Sequence, residues 1–118
     1  MKVNELRIEN LIRWISTGEI DTVKDIFSAG RKHESINNVN IQDCEPIPLT
    51  EEWLKRFGVT KDIDVWELTG VFWLQELEGG CFFLGCNSGW TGIEIKYVHQ
   101  LQNLYFALTG DELKISKI

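Results

Sequence analysis

The chain has 118 residues, of which 43% are hydrophobic and 25% charged, with 18 acidic and 12 basic side chains giving a net charge of −6. That size and composition describe one globular domain, 1–118, and exclude a disordered chain, a collagenous chain and a secreted disulfide miniprotein. No apolar run approaches the roughly 18 residues of a membrane span, so no membrane partner is expected. The opening Met1-Lys2-Val3-Asn4-Glu5 lacks the basic-then-apolar pattern of a signal peptide, which points to a cytoplasmic setting.

The first 45 residues are ambiguous. Ile8, Leu11, Ile12 and Ile15 fit helical spacing, yet Leu6-Arg7-Ile8 and Val39-Asn40-Ile41 alternate as strands do. Gly18, Gly30 and the run Ser35 to Asn38 mark turns or a loop.

From Ile47 onward the pattern is clearer. Pro48 keeps Ile47 extended, Thr50 is an N-cap, and Glu51 and Glu52 suit the positive end of a helix dipole. Trp53, Leu54 and Phe57 then form one apolar face, and Gly58 fits a left-handed terminator, so a short helix is expected over 51–57. Four β-like runs follow: Asp64 to Leu68, Val71 to Leu77, Cys81 to Cys86 and Trp90 to Ile95. Thr69-Gly70, Glu78-Gly79-Gly80 and Asn87-Ser88-Gly89 are glycine-bearing connections of hairpin length, which predicts an antiparallel meander. Both faces of the second and third runs are apolar, so the sheet is either covered twice or keeps one face for a partner. Tyr97, Leu101, Leu104, Tyr105 and Leu108 recur at helical spacing and predict a helix over 97–108, closed by Gly110. His99, Gln102, Asn103 and Phe106 fall on its opposite, outward-looking face. Leu113, Ile115 and Ile118 alternate like an edge strand.

Two blocks carry a resemblance. Pro48 to Leu54 reads Pro-Leu-Thr-Glu-Glu-Trp-Leu, and Ile93 to Leu113 contains Ile-Lys-Tyr-Val-His-Gln-Leu-Gln-Asn-Leu-Tyr-Phe-Ala-Leu-Thr-Gly. With the opening Glu5-Leu6-Arg7-Ile8-Glu9-Asn10, these blocks resemble a group of small uncharacterised proteins of Bacteroidetes and their phages or mobile elements. The resemblance covers about a third of the chain and implies that residues 5–26 are strands of a small curled sheet. It departs at Glu9, where the group has glycine, and so bears on whether a tight turn forms there. It implies no activity or catalytic residue.

The fold class expected is α+β: an antiparallel meander of four or more strands packed by a C-terminal helix. The short helix at 51–57 joins that part (about 47–118) to a smaller β-rich N-terminal part (about 1–46).

The charge pattern bears on partners. Between Lys61 and Lys96 there is no Lys or Arg, whereas Asp62, Asp64, Glu67, Glu76, Glu78 and Glu94 all fall there. Phosphate neutralisation dominates nucleic-acid affinity, so direct nucleic-acid binding is not expected.

The three cysteines, Cys44, Cys81 and Cys86, read as free thiols. An offset of five along a strand puts Cys81 and Cys86 on opposite faces, roughly 17 Å apart at about 3.3 Å per residue. That is too far for a disulfide or a shared metal, so neither metal nor cofactor is expected.

No glycine-rich phosphate loop, nucleophile elbow or metal-binding helix motif occurs, and no enzyme activity is expected. His33 lies in a polar loop, His99 on the outward helical face, and neighbouring Glu51 and Glu52 point about 100° apart.

What stands out is aromatic content: five Trp, six Phe and two Tyr. Trp73, Phe83 and Trp90 are the candidate binding residues, an apolar patch with Glu76, Glu78 and Glu94 as acidic neighbours. Such a patch suits a protein partner or a homodimer. The function expected is that of a non-enzymatic accessory protein of a phage or mobile element, acting by protein–protein binding. The alternative is an acidic DNA mimic or regulator of a nucleic-acid-processing machine.

Overall fold

The computed structural model describes residues 6–28, 34–37, 39–63, 65–69, 71–77, 80–86 and 89–115, with backbone only for Phe27, Ser28, Glu34, Asn40 and Trp90. The fold is α+β. In chain order it runs β1 (Leu11–Trp14), β2 (Ile20–Thr22), β3 (Ile26–Ser28), β4 (Glu34–Ile36), β5 (Val39–Asn40) and β6 (Cys44–Glu45). Helix α1 (Glu51–Arg56) follows, then β7 (Thr60–Asp62), β8 (Val65–Glu67), β9 (Phe72–Leu77), β10 (Cys81–Cys86), β11 (Gly89–Glu94) and helix α2 (Val98–Thr109). The chain forms two compact units, one of residues 1–48 with 97–112 and one of 49–96 with 113–118.

In the first unit the N-terminal ambiguity resolves to strands. β2, β1 and β6 form one antiparallel sheet, and β3, β4 and β5 another. Leu6, Ile12, Val23, Ile36 and Cys44 make its core, with Trp14, Ile26 and Ile41 packed against it. Ile8 and Ile15, which a helical stripe would bury, are exposed. Ile36, within the expected loop, is instead a fully buried strand residue. A single aliphatic among polar neighbours carries too little periodicity to signal that.

The turn at residues 8 and 9 does form, with Glu9 at φ 81° in the left-handed region where glycine is favoured. Its backbone closes through Glu9 N–H to the Val23 carbonyl (2.8 Å) and Asn10 N–H to the Arg7 carbonyl (3.0 Å).

Helix α2 belongs to this unit, and its buried face differs from the expected stripe. Val98, His99, Leu101 and Gln102 are buried, whereas Leu104, Tyr105 and Leu108 are only partly so. His99 is therefore interior, 1% exposed, and stacks on Tyr97 at 5.8 Å. The reason is polar complementarity with the turn before β1. Gln102 Oε1 accepts from Leu11 N–H (2.7 Å) and its Nε2 donates to the Glu9 carbonyl (3.3 Å). Asn10, fully buried, donates to Asn103 Oδ1 at 2.8 Å. Arg7 forks onto the Glu112 carboxylate at 2.5 and 2.9 Å and lies over the Phe106 ring. Periodicity counts apolar residues and cannot see a helix face that docks through amides.

The second unit is an antiparallel meander in the order β11-β10-β9-β8-β7. Its last four strands match the expected runs closely. β7 was not expected: Thr-Lys-Asp is short, polar and wholly exposed, and offers no alternation to read. It pairs through Lys61 with Trp66 and Asp62 with Val65. The Thr50 hydroxyl caps α1 at Trp53 N–H, and Gly58 takes φ 80°, as a left-handed terminator should. The segment from Asp111 to Ile115 is not a strand, with Leu113 buried and Ile115 exposed; residues 116–118 lie outside the described residues.

Candidate interaction surface

Side chains alternate faces along a strand, and directly paired residues of neighbouring strands share one. Pairing therefore sorts the five-stranded sheet. One face carries Lys61, Trp66, Phe72, Leu74, Glu76, Phe82, Leu84 and Cys86. Trp66, Leu74, Phe82 and Leu84 on it are 1, 0, 2 and 4% exposed. This is the core face. Its charges are satisfied locally: the Glu76 carboxylate accepts from Trp66 Nε1 at 3.0 Å, and Lys61 lies 3.4 Å from Glu76 and 3.3 Å from Glu51. The indole hydrogen bond, with Lys61 adding to it, holds the Glu76 carboxyl below its usual range.

The opposite face is built of two cross-strand rows. Thr60, Glu67, Trp73, Gly85 and Trp90 follow one another across β7 to β11, and Asp62, Val65, Gln75, Phe83 and Glu94 form the next. Leu77 and Cys81 extend it. Apart from Gly85, no side chain described on this face is fully buried: Val65, Trp73, Gln75, Phe83 and Glu94 are half-buried, and Glu67 and Leu77 are exposed. The Trp73 indole packs against Gly85. A Cβ there would stand 2.8 Å from indole Cε2 and closer still to Nε1. Glycine at this position makes room for the ring, and the ring in turn covers backbone that glycine leaves bare.

Trp73 and Phe83 thus share one face, and Trp90 is in register with them, its side chain lying outside the described residues. Glu94 joins them, but Glu76 does not. Its even offset from Phe72 and Leu74 sends it to the core face, onto Trp66 and Lys61. Glu78 lies outside the described residues. Glu67 and Gln75 belong to the surface and were missed. The partners of β8 follow from the β8–β9 hairpin register, which the Leu68-to-Phe72 connection sets and composition does not reveal. A cleft of about 240 Å³ opens beside Glu67, lined also by Gly58, Thr60, Leu68 and Thr69.

β11 closes the sheet irregularly. Its register shifts between Phe83 and Gly85, Gly92 takes φ 77°, and Thr91 donates its hydroxyl to the Leu84 carbonyl at 2.8 Å. A bulge of this kind disrupts the edge against further strand pairing, so the face is the more accessible route to a partner.

The remaining sequence candidates do not converge. Cys81 and Cys86 fall on opposite faces of β10, and Cys44 is buried in the other unit. Burial pushes the Cys44 thiol up to about 11. Among the described residues no three His, Cys, Asp or Glu side chains gather as a metal site would require, and no helix is long and apolar enough to cross a membrane. His33 lies outside the described residues. No protein-family model matches the chain, and neither the curated proteins nor the solved structures give a significant match.

Proposed function

We propose that the chain is a protein-binding module, non-enzymatic, that uses the Trp73–Phe83 face of its five-stranded sheet. The observation that carries this reading is the asymmetry of the two faces. One is closed to solvent at Trp66, Leu74, Phe82 and Leu84, while the other keeps Trp73 and Phe83 half-buried and Leu77 39% exposed. Large aromatic side chains ringed by polar ones are what protein interfaces use as anchors. The resemblance to small proteins of phages and mobile elements supports an accessory role in such a system.

The test is to compare wild type with Trp73→Glu and Leu77→Glu. Proteins captured from the source cell by wild type are purified and re-tested one by one, and self-association is followed by light scattering. Circular dichroism confirms that each variant folds. The reading expects a direct association that both variants weaken at least tenfold. An association that neither variant alters, or none of any kind, overturns it. Direct binding to duplex DNA is expected to be absent at physiological salt, given the run from Asp62 to Ile95 without a basic residue.

A further inference from the structure

Resting on the reading of that face as a binding surface, we infer that its partner is a cationic chain segment, recognised through two arginine side chains. The first observation is how charge divides between the faces. On the core face the acids are used up: Glu76 and Glu51 share Lys61, and Glu76 also holds the Trp66 indole. On the other face, pairing places Asp62, Glu67 and Glu94 among the aromatic side chains with no Lys or Arg between them. Among the described residues neither Asp62 nor Glu67 enters an ion pair, and Glu94 has only Lys96 at 4.0 Å, itself 59% exposed. Asp62 and Glu67 stand diagonally on neighbouring strands and repel each other, a repulsion that a bound cation relieves, and Glu94 offers a second negative position on the same face.

The second observation is the pairing of carboxylate with ring. Glu67 sits directly opposite Trp73, and Glu94 directly opposite Phe83. Directly opposed side chains start about 5 Å apart. A planar guanidinium can then stack on a ring while its N–H fork meets the neighbouring carboxylate, a geometry that suits arginine better than lysine. The cleft beside Glu67 is also lined by Thr60, whose hydroxyl is a further polar group at one such site.

The spacing sets the ligand. Glu67 on β8 and Glu94 on β11 are three strand intervals apart and one row apart along the strands, roughly 14 Å across by about 7 Å along, or about 16 Å in all. An extended peptide covers about 13 Å in four residues and the reach of its side chains spans the rest, so arginines at positions i and i+4 meet both carboxylates from one side.

The probe is acetyl-Arg-Gly-Ser-Gly-Arg-amide, titrated into the full chain at low salt and followed by amide and indole N–H chemical shifts. The same peptide with citrulline in place of both arginines is the neutral control. Saturable shifts are expected at the Trp73 indole and the Glu67, Gln75 and Phe83 amides. Binding should be at least tenfold weaker for the citrulline peptide, for Glu67→Gln combined with Glu94→Gln, and in 0.5 M NaCl. Equal binding of the arginine and citrulline peptides would overturn the cation while leaving the face as a binding surface. Shifts scattered over Glu19, Glu51 and Glu52, or none, would overturn it as well. Failure of the binding surface itself is read separately, as an association indifferent to Trp73→Glu.

Discussion

Replacing Gln102 by Leu separates two accounts of helix α2. If Leu101, Leu104, Tyr105 and Leu108 made its buried stripe, Gln102 would face water and the change would cost almost nothing. In the structure Gln102 is 3% exposed and its amide serves the Leu11 N–H at the start of β1 at 2.7 Å and the Glu9 carbonyl of the preceding turn at 3.3 Å. Leucine matches the volume but neither accepts nor donates. The buried Leu11 N–H left without a partner costs about 1–3 kcal/mol, whereas the carbonyl of Glu9, an exposed residue, can turn to water and costs less. The added apolar side chain returns about 1 kcal/mol. A net loss of about 1–2 kcal/mol follows. Leu104, only half-buried, should cost about 1–2 kcal/mol on truncation to Ala, below the 2–5 kcal/mol of a fully buried leucine. Urea unfolding of both variants, followed by far-ultraviolet circular dichroism, measures the pair. The two losses are expected to be similar, where a buried Leu104 stripe would put them far apart. A loss under about 0.5 kcal/mol for Gln102→Leu with one above about 2 kcal/mol for Leu104→Ala would refute the amide docking of α2.

Glu9→Gly should stabilise, because a non-glycine residue in the left-handed region costs about 1–2 kcal/mol and glycine's extra chain entropy returns only part of it. A gain of about 0.5–1 kcal/mol in urea unfolding is expected, and a loss would mean that Glu9 does not hold φ 81°. Glu76 is depressed in the folded chain below its ordinary 4.5, so it stabilises the fold above that pH and ceases to as pH falls through the lowered value. Glu76→Gln should therefore flatten the acid side of the stability–pH profile, and an unchanged profile below pH 4.5 would contradict the Trp66–Glu76 bond. Cys44, buried and with its thiol pushed up to about 11, should resist iodoacetamide at pH 8 in the native chain while Cys81 and Cys86 react. Peptide mapping that finds Cys44 modified first would show that the first unit opens at that site.

Local chemistry alone determined several parts of this protein. Thr50, Glu51, Glu52 and Gly58 specify where α1 starts and stops, since capping and left-handed termination act within a few residues. Gly110 ends α2 in the same way, at φ 79°. Three glycine-bearing connections set the spacing of the runs that became β8 to β11, and the parity of Cys81 and Cys86 already separated them across the sheet. The N-terminal strands were undecided because two to four residues of mixed polarity satisfy both periods, and only pairing of β1 with β2 and β6 selects one. Which side of α2 is interior was decided by tertiary structure, because the buried Gln102 and His99 and the half-buried Asn103 are held by partners some ninety residues away or by ring stacking, not by hydrophobicity. The same holds for the interaction surface. Trp73 and Phe83 could be singled out by type, but Glu67 joins them, and Glu76 leaves them, only through strand register, and register is a property of pairing across the sheet rather than of any one strand.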